Sequence, residues 1–175
     1  ELLDFEIFFD SRSVAGDAGL AAGLHGTVAR LLRETPTFFI HLAHDVVSKK
    51  LPPHLSGGIL RDVIRTGSTT LDLKDAMAPI VAFSRLYSLR HGVAATNTFD
   101  RLAALREMNV LKPSTADDLV DAYSFLMRLR LSHAAGSTVE LKGLTRTEEV
   151  TLRQALAQLP LIHRKIGFDF PGSAL

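Results

Sequence analysis

The chain has no cysteine. That absence excludes disulfides, thiolate metal ligands and a thiol nucleophile, and it leaves the fold to stand on packing alone. No apolar run approaches the roughly 20 residues that a membrane-crossing helix needs. Near the start there is no basic segment followed by an apolar stretch and a cleavage site. The sequence thus shows neither a membrane span nor an export signal, and a cytoplasmic location is the expectation. Charge of one sign is lacking as well, with 20 Lys plus Arg against 19 Asp plus Glu. Without a large net field to attract nucleic acid or an anionic surface, any charge-based recognition must be local. No repeat of fixed period and no low-complexity tract occurs.

What is present is a 175-residue chain, 46% hydrophobic, which suffices for one domain with a substantial core. It opens on Leu2 to Phe9, an apolar stretch of strand character with no turn ahead of it. A strand edge of this kind pairs with something upstream, so the chain reads as a fragment of a longer protein.

From residue 17 onward the pattern is helical. Leu20, Leu24, Val28, Leu31 and Leu32 recur at helical spacing behind Asp17, whose carboxylate suits the free amides of a helix start. Thr35 and Pro36 open a second helix as cap and first-turn proline; Phe38, Phe39, Leu42, Val46 and Val47 share one stripe, which stops before Pro52 and Pro53. Residues 56–73, punctuated by Gly57, Gly58 and Gly67, read as a loop or small hairpin. A third, central helix is predicted to begin near Asp75, to bury Ile80, Phe83, Leu86 and Tyr87, and to end at Gly92 after Arg90 and His91, whose charge suits the negative end of the dipole. Asn97 can cap a short fourth helix through Leu105 to Met108. Ser114 and Thr115, ahead of Asp117 and Asp118, open a fifth through Leu119, Tyr123, Leu126 and Leu131 toward Gly136. Thr145 and Glu148 form a capping box for the last helix, whose apolar face is Leu152, Leu156, Leu159 and Ile166, and which Pro160 is expected to kink or divide. The fold class that follows is mainly α: an antiparallel helical bundle, four-helix-bundle-like in its core with extra helices, and a small β annex.

Three stretches could carry chemistry. At the end of the opening strand, alternation puts Asp10 and Arg12 on one face, where a carboxylate for a metal and a guanidinium for phosphate could serve one ligand. A salt-bridged strand end is the plainer alternative. Asp72 and Lys74 share one side of an extended segment, and Arg85 lies on an otherwise apolar helix face, where an unpaired charge would cost several kcal/mol. Arg85 therefore needs an anionic ligand or an internal carboxylate, Asp72 or another. Around Asn97 a helix start offers amides and hydroxyls to an anion, with Arg101 one turn inside, although such starts commonly cap themselves.

These stretches, together with Ala122-Tyr123, the run Leu126-Met-Arg-Leu-Arg-Leu131 and Leu144-Thr-Arg-Thr-Glu-Glu149, resemble the nucleotidyltransferase substrate-binding domain family. That family is the C-terminal helical module of bacterial proteins in which CBS or cyclic-nucleotide-binding modules precede a nucleotidyltransferase domain. The resemblance implies that residues 1–12 are the terminal strand of the preceding nucleotidyltransferase domain and residues 13–175 the helical substrate-binding domain. Asp10-Ser-Arg12 is similar to the Asp-x-Arg of adenylyl- and uridylyltransferases that modify proteins of nitrogen metabolism, where the acid is the last of three metal-binding carboxylates. By that likeness Asp10 is both the catalytic and the metal residue. The Gly-Ser turn and the paired Asp-x-Asp that hold the other carboxylates do not occur here, so the fragment is expected to be inactive by itself, to carry no cofactor, and to use Mg²⁺ only within the intact enzyme. Arg12, Asp72, Lys74, Arg85, Asn97 and Arg101 become candidate contacts to a nucleoside triphosphate or to an acceptor the sequence does not specify. The implied partners are the upstream nucleotidyltransferase domain and its CBS or cyclic-nucleotide-binding modules, with a homodimer as a further option.

Two other functions compete. Arg128 and His133 on one helix resemble the ribonuclease motif of HEPN proteins, where Arg steadies phosphate and His moves a proton, but Leu129 stands where that family has a polar residue. A bundle that only dimerises or docks a regulatory domain is the third class. His41 and His44 share a helix face at metal-ligand spacing, but no third ligand matches them.

Overall fold

Six α-helices and one pair of short strands form the described residues, 9–48, 70–133 and 137–172, of the computed structural model. Helix α1 (Ala18–Glu34) begins where Asp17 Oδ1 accepts the Gly19 amide at 2.7 Å. Helix α2 (Thr37–Ser48) buries Phe39, Leu42, Ala43 and Val46, an i, i+3, i+4, i+7 stripe. Strand β1 (Thr70–Asp72) leads directly into α3 (Leu73–Arg90), because Asp72 leaves the ladder in an extended conformation and its Oδ1 accepts the amides of Lys74 and Asp75 at 2.7 and 3.4 Å. Helix α4 (Thr98–Glu107) is capped by Asn97, which accepts the Asp100 amide at 2.9 Å. Helix α5 (Pro113–Ser132) follows, then β2 (Thr138–Glu140), a 3₁₀ turn (Leu141–Gly143) and α6 (Arg146–Asp169), whose start has both halves of the Thr145–Glu148 capping box.

Helix α3 is the axis of the fold. It packs against each of the other five helices, while α5 lies along α6 and α2 bridges α3 and α6. Ile80, Phe83 and Leu86 of α3, Leu119 and Leu126 of α5, and Leu152, Leu159 and Ile166 of α6 are all essentially inaccessible. Each such side chain contributes about 1.5–3 kcal/mol of burial free energy. The architecture is mainly α with a two-stranded annex.

Several expectations are corrected. The strand over residues 1–12 falls largely outside the described residues; within them Phe9 is helical, Asp10 lies in a turn and residues 11–14 are irregular, so Asp10 and Arg12 do not share a strand face. The Phe9 ring meets Phe38 edge-on, with centroids 5.9 Å apart, and this contact holds the segment against α2. Of the loop or hairpin at 56–73, residues 56–69 lie outside the described residues, and β1 pairs antiparallel with β2, far along the chain, in the register Leu71↔Val139. Leu71 and Val139 are both buried, so the pair closes over the core as a non-local ladder. Asp72 and Lys74 are not on one extended segment, since the helix starts at Leu73. Helix α5 starts at Pro113, before Ser114 and Thr115, and Lys112 makes no side-chain cap; the fixed φ of Pro113 opens the helix instead. Pro160 does not divide α6, because Leu156, Leu159, Ile162 and Ile166 anchor both sides of the missing hydrogen bond in the core. Helix α1 has the expected span but buries none of its residues: Leu20 is 76% exposed, Leu24 46% and Leu31 49%.

Candidate functional site

Arg85 stands on the central helix between the buried Ser84 and Leu86, and its side chain is 12% exposed. Arg101 stands one turn inside α4, and its side chain is 2% exposed. Both reach the same carboxylate. Arg85 Nη2 donates to Asp10 Oδ2 and Arg101 Nη2 donates to Asp10 Oδ1, each at 2.5 Å. Arg101 is held a second time, its Nε donating to the Ala95 carbonyl at 2.8 Å. Burial by itself would raise the Asp10 carboxyl, but the hydrogen bonds and charges of Arg85 and Arg101 outweigh it and hold the group below the ordinary carboxylate range.

The other sequence candidates do not join this cluster. Asp72 spends one oxygen on the amides of α3 and accepts the Ser137 hydroxyl with the other at 2.9 Å. Asn97 caps α4 and also donates to Asp100. Arg12 and Lys74 are exposed, and none of these four residues lines the cavity beside the cluster.

That cavity was not legible in the sequence. It has a volume of about 470 Å³ and lies between α1, the start of α2, the end of α3 and the loop leading to α4. Val28, Leu32, Phe39 and Leu89 give it an apolar side, and Arg33, Arg90 and His91 a basic one, with Arg101 among its walls. Among the described residues, no Asp or Glu lines it. Arg33 and Arg90 each carry only the signal of a base in a last helical turn, which any dipole-compatible end would show. Arg90 is held by the rings of Phe39 and Phe170, at 5.4 and 5.9 Å from their centroids. Burial, and after it the positive charge of Arg90, pushes the His91 pKa below the usual histidine value. Behind it, Asp169 accepts from the Tyr87 hydroxyl at 2.5 Å and from Lys165 Nζ at 2.8 Å, so the end of α6 braces the end of α3. On the opposite rim His25 Nε2 lies 3.0 Å from the Ser11 carbonyl, to which it donates, and so holds the residue that follows Asp10.

An apolar wall with convergent guanidiniums can hold an organic anion. A Mg²⁺ ion does not fit the described residues: both Asp10 oxygens accept from guanidiniums, and no three His, Asp or Glu side chains converge. His41 and His44 are exposed and belong to no such group. Arg128 is exposed on α5, and His133 Nδ1 lies 2.9 Å from the Leu129 carbonyl, which ties that nitrogen to the end of its own helix. Among the described residues, no helix is long and apolar enough to cross a membrane.

A family model described as "Putative nucleotidyltransferase substrate binding domain" matches residues 36–170. The match takes in α2 to α6 with Arg85, Arg90 and Arg101, while Asp10 and α1 precede it. No curated protein and no solved structure matches the chain.

Proposed function

Because the chain belongs to the nucleotidyltransferase substrate-binding domain family, we propose that it holds a phosphate-bearing substrate in the cavity beside Arg85 and Arg101. The substrate is a nucleoside triphosphate or its acceptor, presented to a nucleotidyltransferase domain that supplies most of the catalytic carboxylates. The observation that carries this reading is the cavity itself: about 470 Å³, with Arg33, Arg90 and Arg101 on its walls and no acid among the described residues that line it. A volume of this order suits a small organic ligand, the apolar side can seat a base or similar ring, and the guanidiniums donate to phosphoryl oxygens. The Mg²⁺ of such an enzyme would then be held by carboxylates of the partner domain, and Asp10 would contribute through its arginines.

Calorimetric titration with Mg-ATP and Mg-UTP tests this reading. Arg33→Ala and Arg90→Gln together are expected to weaken binding at least tenfold, the effect of losing roughly 1.4 kcal/mol or more of charge-assisted contact. Unchanged binding in the folded double variant would remove the cavity from the site. The exposed Leu20, Leu24 and Leu31 of α1 favour, alongside this, a face on which the catalytic or a regulatory domain docks.

A further inference from the structure

The pair of guanidiniums around Asp10 has a geometry that its structural role does not require. Arg101 is oriented by the Ala95 carbonyl as well as by the carboxylate, so its position is largely set by α4 and the loop before it. Arg85 comes from α3, a rigid and central helix. Asp10, in contrast, sits in a turn followed by four irregular residues, and its side chain is 31% exposed against 2% for Arg101. The two bases belong to the stretch that matches the family, and the acid lies ahead of it. Arg101 also lines the cavity, as does Phe9, the residue before Asp10. A preorganised basic seat is thus filled by a carboxylate on a turn that runs into irregular chain, at the wall of a cavity whose other charged groups, among the described residues, are basic.

We propose that Asp10 is an internal stand-in for a ligand: Arg85 and Arg101 form a phosphoryl-binding seat, and a phosphate group entering from the cavity replaces the Asp10 carboxylate on it. Two guanidiniums, each aimed at a separate oxygen of one group, match a phosphoryl group as well as they match a carboxylate, and the phosphoryl group brings more charge and further acceptor oxygens for Arg90 and Arg33. The displaced segment would swing out on residues 11–16, where Gly16, at φ +90°, supplies a backbone conformation that side chains disfavour. His25, holding the Ser11 carbonyl, is the latch that keeps the stand-in seated. The apparent affinity for ligand is then reduced by the fraction of molecules in which Asp10 occupies the seat.

This inference rests on the cavity being a substrate site, and the two can fail separately. Inorganic pyrophosphate, which has no ring for the apolar wall, and Mg-ATP are titrated into the 175-residue chain and its variants. Asp10→Asn and His25→Ala are each expected to bind pyrophosphate at least tenfold more tightly than the parent chain. Asp118→Asn, which makes the same change in net charge at an exposed site on α5, should leave that affinity unaltered. Adding Arg85→Gln to Asp10→Asn should abolish the gain. A gain with both ligands, or with ATP alone, supports the seat and distinguishes a free phosphate site from a nucleotide site. If neither variant gains with either ligand, the stand-in is disproved, whereas the nucleotide reading is judged by the Arg33 and Arg90 double variant. Should Asp10→Asn fail to fold, the exposed His25→Ala decides, because it leaves both guanidiniums and the carboxylate in place.

Discussion

At the scale of single residues, the most constrained group is Arg101. Its guanidinium is almost wholly inaccessible and satisfied by the Ala95 carbonyl and by Asp10. Arg101→Ala leaves a cavity, an unmatched carbonyl and a carboxylate with one partner fewer, and should lower stability by about 3 kcal/mol, read as a shift in urea midpoint. Asp10 adds a pH signature. Its pKa is depressed in the folded chain, so its contribution is complete above the unfolded carboxylate value, about 3.9, and is lost as pH falls through the folded value. Asp10→Asn should therefore be less stable than the parent chain at neutral pH, with the difference closing on acidification below about pH 4. Parallel midpoints over that range would show that the ion pairs contribute nothing. The sequence made Arg85 legible as a charge in need of a partner, because its neighbours on the helix face are apolar. It could not say that Asp10 is that partner, since the two are 75 positions apart.

At the scale of elements, helix starts were the most readable feature. Asp17, Asn97 and Thr145 cap the helices their sequence contexts indicate, because a cap is satisfied within three residues of chain. Asp72 shows where the same logic becomes ambiguous. Its spacing to Lys74 suits an extended pair of side chains as well as a cap, and only the ladder with β2, which ends at Asp72, selects the cap. Its second oxygen fastens Ser137 at 2.9 Å and so ties the annex to the start of α3. Asp72→Ala should cost about 1–2 kcal/mol in chemical denaturation, a cap plus one side-chain hydrogen bond. Lys74→Ala, at an exposed position, should stay within about 0.5 kcal/mol. Equal effects from the two would mean that Asp72 does not serve as the cap.

At the scale of the whole molecule, stability is unevenly distributed. Helix α3 packs against all five other helices, whereas α1 buries no residue and touches mainly α3, its half-buried residues including Val28, Ala29 and Leu32. A helix with so little buried apolar contact opens locally at small cost. Hydrogen exchange followed by mass spectrometry should show the amides of α1 exchanging well before those of α3 and α6. Saturating nucleotide should slow α1 selectively, because Val28, Ala29, Leu32 and Arg33 line the cavity. Uniform protection of α1 and α3 in the ligand-free chain would contradict this order.

The sequence by itself determined the run of helices, the caps at Asp17, Asn97 and Thr145, and the family, since these follow from hydrophobic period, local hydrogen bonding and the order of motifs along the chain. It also determined that Arg85 carries charge into an apolar setting. Tertiary structure alone decided that β1 joins a strand beyond α5, that α6 runs through Pro160, and that the tail of α1, the end of α3 and the loop before α4 enclose one cavity. The physical reason is range. A cap or an amphipathic stripe is fixed by neighbours a few residues away, whereas a cavity wall and a shared carboxylate depend on how separate helices pack, and no local spacing encodes that.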